Sequence, residues 1–385
     1  MAENTSAVQY RASLETRQEA MAQAISAQAL GGKQLDVVWN LTLAANLISA
    51  NVEYGEIAAI RQVPGVEQVI LETQYAPAVV DVDLPDAPNM STSSSMIGSN
   101  AAWAAGYTGA GSRIAVIDTG TDTDHQSFDP GALVHALAED AQLAGMSYEE
   151  YLAHVDVLDE DELAEKLPQL NVAERNPELT AEDLYLNEKL PFGYNYVDTN
   201  LRITHDYDNF GGHGSHVAGI SAANRYIPEA DGYLRAADTV FVSGAAPDAQ
   251  IITLKVAGVG GGIAESDYMA AIEDAILLDC DAVNLSLGSS SAGTAAIEDS
   301  TYRALMERVV ESGMVVVTSA GNDGYWSMYS TGGYLYSDDV NYDTVGSPGS
   351  YASSLAVASV DNDGINGPSL VVDGNSMGYM ESLVD

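Results

Sequence analysis

Three widely separated residues have neighbours that suit them to acid–base and oxyanion chemistry. Asp118 closes the apolar run Arg113-Ile-Ala-Val-Ile-Asp and is followed at once by Thr119-Gly120. A carboxylate at the carboxyl end of such a strand stands where open α/β sheets place their ligands, although an Asp that only caps the next turn has the same local sequence. His213 lies in Gly211-Gly-His-Gly-Ser-His-Val-Ala-Gly219, at the start of a helix of small residues. The flanking Gly212 and Gly214 leave its imidazole uncrowded, as a general base requires. Asn322 ends Gly313-Met-Val-Val-Val-Thr-Ser-Ala-Gly-Asn. A fixed amide N–H there could stabilise an oxyanion; an Asn in an Asn-Asp-Gly turn is the structural alternative. His125 and His216 are weaker candidates for the base, and Asp122 and Asp124 read as turn or ion-binding acids.

The elements that must position these residues are legible as buried runs at 114–117, 251–256, 282–287 and 315–319, with amphipathic segments between them. That alternation predicts a parallel α/β sheet. Residues 131–190 break the rhythm with 15 acidic and 3 basic residues at helical spacing, and predict a solvated helical insertion. Ahead of the sheet, residues 1–33 predict a helical leader without a strong apolar face. Residues 34–84 predict a small α+β module of strand, helix and strand, with its second strand at Val66–Ile70. The Pro/Ser/Thr-rich stretch 85–95 reads as a linker. No internal repeat of 20–50 residues is visible.

Taken in chain order, the Asp118, His213 and Asn322 motifs resemble those of the subtilases, the subtilisin-like serine proteases. Ser215 stands where threonine is common in that family. The Asp-then-His order is the family's own, with the nucleophilic serine last. The long insertion before His213 and the stretch Lys189-Leu-Pro-Phe-Gly-Tyr-Asn-Tyr-Val-Asp198 resemble the cell-envelope group that includes lactocepin and the streptococcal C5a peptidase. The resemblance implies a subtilisin-like parallel sheet with helices on both faces over 85–366, preceded by a propeptide at 34–84 that is cut near 76–95. It also implies a channel that pairs with an extended substrate through Ser286, Leu287 and Gly288, bounded by Ala257, Gly258 and Gly260, with Ala320 and Gly321 beside the oxyanion site.

A subtilase serine opens a helix in a Gly-Thr-Ser-Met-type motif. Only Gly374-Asn-Ser-Met377 comes close, and it carries asparagine for threonine and Gly-Tyr after the methionine. Ser376 is therefore a poor nucleophile candidate. The expectation is that residues 367–385 begin an inserted domain and that the serine lies beyond Asp385, leaving this chain inactive by itself. The rival expectation is a catalytically dead subtilase fold serving as a peptide-binding or adhesion module.

Composition bounds the partners. With 56 acidic and 14 basic residues the net charge is −42, which repels nucleic-acid phosphates and anionic membranes. The expected partners are a protein or peptide substrate and the chain's own propeptide. No cofactor is needed for the chemistry; a structural calcium fits the family, without assignable ligands. The single Cys280 excludes intramolecular disulfides. No run approaches the roughly 18 apolar residues that span a bilayer, and the N-terminus lacks a signal-peptide pattern, so a secreted or cell-surface location rests on the resemblance.

Overall fold

A computed structural model describes residues 5–72, 74–77, 92–204, 206, 212–240, 242–288, 300–322, 345–360, 369–373 and 375–378. The N-terminal segment contains helix α1 (Thr5–Gln28) and strands β1 (Asp36–Leu41), β2 (Leu47–Asn51) and β3 (Gln74–Pro77). From residue 113 onward the strands are β4 (Arg113–Asp118), β5 (Phe192–Asn195), β6 (Tyr226–Glu229), β7 (Gly232–Arg235), β8 (Gln250–Lys255), β9 (Ile263–Ala264) and β10 (Ala282–Leu285). They continue with β11 (Leu287–Gly288), β12 (Val315–Ser319), β13 (Leu355–Val357), β14 (Ser369–Val372) and β15 (Asn375–Gly378). The longer helices of this part are α2 (Pro130–Ala144), α3 (His213–Ala222), α4 (Glu265–Leu277) and α5 (Ser300–Glu311).

Six strands form one parallel sheet in the order β13-β12-β10-β4-β8-β5. Successive side chains of a strand face opposite sides, so each apolar run feeds two cores. Val116 and Ile251 pack with Ala218 and Ala222 of α3 on one face. Ala115, Ile117, Ile252 and Leu254 pack on the other face with Met269 and Ile272 of α4 and with Leu305 and Val309 of α5. The α/β sheet with helices on both faces agrees with the expectation.

Register aligns the carboxyl ends of the three central strands. Ile117 is level with Leu285, and Leu285 with Thr318. Asp118, Ser286 and Ser319 each follow by one residue, about 4.8 Å apart from strand to strand. The segment that ends in Asn322 leaves the sheet at this same edge.

Elsewhere the structure departs from the reading. The leader packs despite lacking a strong apolar face: Ile25 and Leu30 are buried with Leu35, Ile60 and Val63 in one small core, so α1 packs on the β1–β2 hairpin. The helix expected between the module's two strands is short: after β2 the chain makes one 3-10 turn at Tyr54–Glu56 and one α-helical turn at Ile57–Ile60. No strand forms at Val66–Ile70. The acidic stretch 131–190 is not wholly solvated, because Leu158, Leu163, Leu170, Val172 and Leu184 join the main core while most of its carboxylates are exposed. Each such leucine contributes about 1.5–3 kcal/mol of burial that a purely surface helix would lack. Cys280 is a buried free thiol in the turn between α4 and β10, and burial pushes its pKa up.

Candidate active site

The site begins with the turn after β4. Asp118 is 2% exposed, and its Oδ1 accepts from the Thr119 backbone N–H at 2.7 Å. The same oxygen lies 2.7 Å from His213 Nδ1. A buried carboxylate on Nδ1 fixes the ring's orientation and tautomer, and turns the opposite nitrogen into a proton acceptor. Asp118 Oδ2 is buried without a hydrogen-bond partner among the described residues.

The approach of α3 to this turn depends on glycine. A Cβ on Gly214 would meet Gly120 O at 2.1 Å and Asp118 Oδ1 at 3.1 Å. Gly120 itself adopts φ +109, and a Cβ there would meet Ile203 O at 1.9 Å. The Gly214 N–H donates to Thr119 Oγ1 at 2.9 Å. Ser215 Oγ accepts from the Asp122 N–H at 2.8 Å, giving that residue a local task. Buried Lys255 of β8 donates through Nζ to the Thr119 carbonyl. A lysine inside an apolar strand was the available signal for this support, and the sequence reading gave it no role.

The other two candidate histidines stand elsewhere. His125 Nδ1 accepts from the Ser127 N–H at 3.2 Å and caps the short turn at 126–128. His216 lies on the exposed side of α3. Asn322 is exposed, three residues past β12, in a turn anchored by Ala320 N–H to Val357 O at 2.8 Å and by Gly346 N–H to Ala320 O at 3.0 Å. Gly321 holds φ +93 there. The residues after Asn322 up to 344, and 207–211 before the His213 helix, lie outside the described residues. Ser376 is in β15, which pairs antiparallel with β14, and so does not open a helix.

Around the edge of the sheet, Ser286 Oγ donates to Asn284 Oδ1 at 3.0 Å, and Leu287 is buried. Ala257 is fully buried and Gly258 accepts from the Gly261 N–H at 2.8 Å, turning the chain toward β9. Between β9 and β11 runs β3, antiparallel to both: Gln74 and Tyr75 pair with Ala264 and Ile263, and Ala76 and Pro77 with Gly288 and Leu287. The expected Leu287-Gly288 strand therefore carries an extended peptide. The opposite wall is Ile263–Ala264, a few residues beyond the expected Gly258–Gly260. Two β-branched and small residues after a glycine loop were too short a run to read as a strand.

A six-stranded parallel sheet with a buried Asp on a histidine at its carboxyl edge is a geometry that several folds could share. The family model described as "Subtilase family" matches residues 109–382. The chain belongs to this family. Among curated proteins, this subtilase is 30% identical over 338 residues to the PII-type proteinase of Lacticaseibacillus paracasei, covering 86% of this chain and 15% of that protein. The PI-type proteinase of Lactococcus lactis subsp. cremoris matches to the same extent. The C5a peptidase of Streptococcus pyogenes serotype M3 is 28% identical over 261 residues, covering 66% of this chain and 18% of that protein. The chain thus spans less than a fifth of the length of these relatives.

The N-terminal segment of the subtilase is bound to α4 by carboxylates that are all buried. Glu273 accepts from the backbone N–H groups of Leu43 at 3.0 Å and Ala44 at 2.7 Å, with Thr42 and Ala45 at 3.4 and 3.3 Å. Asp267 accepts from Trp39 Nε1 at 2.7 Å, and Glu265 from the Tyr75 hydroxyl at 2.9 Å. Burial pushes Asp267 up to about 7, as it does Asp274, which accepts from Tyr196 and from the Asn171 N–H. Among the described residues no group of three or more His, Cys, Asp or Glu could hold a metal ion, and no helix is long and apolar enough to cross a membrane.

Proposed function

We propose that this chain is the N-terminal portion of the precursor of a secreted or cell-surface serine endopeptidase, held inactive by its own first 77 residues. The observation that carries the proposal is β3 seated between β9 and β11 at the carboxyl edge of the sheet. Backbone pairing on two sides is the mode by which an extended peptide is held with little demand on its side chains. The relatives' names as proteinases and peptidases support the same activity.

In this reading His213, oriented by Asp118, takes the proton of a serine hydroxyl as the oxygen attacks the peptide carbonyl. Asn322 donates to the oxyanion of the tetrahedral intermediate, and a donor in that role is worth about 10²–10³ in turnover in subtilisin. Collapse passes the proton to the leaving amine and leaves an acyl-enzyme, which water hydrolyses by the reverse path. Ser376, on a hairpin strand, is not assigned as nucleophile; we assign it to a serine contributed from beyond Asp385. A cut near 76–95 would free the channel.

The test is expression of the protein as its gene encodes it, beside His213→Ala. Mass spectrometry should find the N-terminal segment released by a cut near 76–95 in the first and retained in the second. Labelling of Ser376 by a fluorophosphonate probe would overturn the assignment of the nucleophile. Equal release from the variant would overturn the role of His213.

A further inference from the structure

Of the four side chains in β3, only that of Tyr75 is buried. It is 3% exposed, against Ile263, which is fully buried, and edge-on to Tyr268 with ring centroids 5.4 Å apart and planes at 90°. At the inner end of this aromatic slot the Tyr75 hydroxyl donates to Glu265 Oε1 at 2.9 Å, and Glu265 is itself 1% exposed. The buried hydroxyl of Ser347 borders the same phenol. Gln74 and Ala76, on either side, are exposed.

We propose that this slot is a specificity pocket for tyrosine in substrates, with Glu265 as the residue that selects the phenol. The proposal rests on the reading of the β9–β11 channel as the substrate channel. The slot belongs to β9 and α4, not to the N-terminal segment, and so persists when that segment leaves. A substrate strand in the same register would present one side chain to it. Phenylalanine would fill the apolar part but leave a buried carboxylate oxygen without the donor that Tyr75 supplies. A site built to accept a hydroxyl proton rejects the analogue lacking it far better than an apolar slot can measure a methylene. Lysine could reach the carboxylate, but would draw an ammonium past Ile263 and the Tyr268 ring and lose its hydration. The phenol matches both halves of the slot.

Two measurements test the proposal. In the 385-residue chain, Tyr75→Phe should raise amide exchange at positions 75 and 76 roughly tenfold or more, and by less than about threefold when Glu265→Leu is already present. In the gene-encoded protein freed of its N-terminal segment, peptides copying residues 72–80 with Tyr, Phe, Leu or Lys in place of Tyr75 should rank Tyr first. Tyr should exceed Phe by roughly tenfold to a hundredfold in kcat/KM, and Glu265→Leu, which removes the acceptor, should shrink that ratio to within about threefold. Equal cleavage of the Tyr and Phe peptides, or a Lys peptide cleaved best, overturns the pocket while leaving the channel reading intact. Failure of every peptide to be cleaved or to compete for the channel overturns the channel reading, and the pocket with it.

Discussion

Replacing Glu273 by alanine should loosen the N-terminal segment from α4 while leaving the parallel sheet folded. The carboxylate gathers four backbone N–H groups of the 42–45 turn, of which those of Leu43 and Ala44, at 3.0 and 2.7 Å, have full hydrogen-bond geometry. Bonds to a charged acceptor contribute about 1.5–3 kcal/mol each, which makes the gross contribution of the two about 3–6 kcal/mol. Glu273 is fully buried, and burial raises its pKa despite those bonds, so part of the gross is spent on desolvating the carboxylate. A net loss of about 2–4 kcal/mol follows, or roughly 30-fold to 1,000-fold in the opening equilibrium of the turn. Amide hydrogen exchange at residues 43, 44 and 45 reads it directly, with the amides of β4 and β8 as internal controls. Protection at 43–45 within threefold of wild type, in a variant whose β4 and β8 amides are unchanged, would refute the reasoning.

Three further outcomes are expected. Asp267, which faces Trp39 of the N-terminal segment, and Asp274 both titrate near 7, above the ordinary carboxylate range. The folded state then binds more protons than the unfolded one between about pH 4 and 7, so their contribution is complete below about pH 4 and lost as pH rises through 7. Retention of the N-terminal segment should weaken from pH 5 to pH 8, measured by exchange at β1, and Asp267→Asn should flatten that slope. Lys189 runs the other way: burial lowers it to about 7, with its ammonium on the Pro247 and Ala249 carbonyls, so it costs stability below pH 7 and ceases to as pH rises. Thermal unfolding of Lys189→Met should therefore gain most over wild type at acid pH. Gly214→Ala forces a Cβ to 2.1 Å from the Gly120 carbonyl, and should cost about 1–3 kcal/mol in thermal unfolding and a larger share of proteolytic activity, because Asp118 and His213 are displaced together.

What could be read from the sequence follows from how local each signal is. The central strands announce themselves because a strand buried on both faces has to be a continuous apolar run, as at Ile114–Ile117 and Ile251–Leu254. Asp118 and His213 were legible because glycines at 120 and 214 mark where the backbone comes close. The N-terminal segment was not, because its contacts are non-local. The helix Glu265–Leu277 carries four acids, and nothing local says that Glu265, Asp267 and Glu273 are buried where Tyr75, Trp39 and the 42–45 turn bond them. Strand β3 is four residues long with a proline at its end, and owes its conformation to its neighbours rather than to any period of its own. Val66–Ile70 has strand composition but forms no strand. In the acidic stretch, charge dominates composition while Leu158 and Leu163 do the packing.

The most direct test of the account is hydrolysis of casein, with fluorophosphonate labelling in parallel, by the gene-encoded protein and its Asp118→Asn and His213→Ala variants. The account predicts that wild type cleaves casein and is labelled at a serine other than Ser376, and that either substitution lowers turnover by about 10⁴ or more with the fold intact by circular dichroism. Turnover within tenfold of wild type in either variant would contradict it.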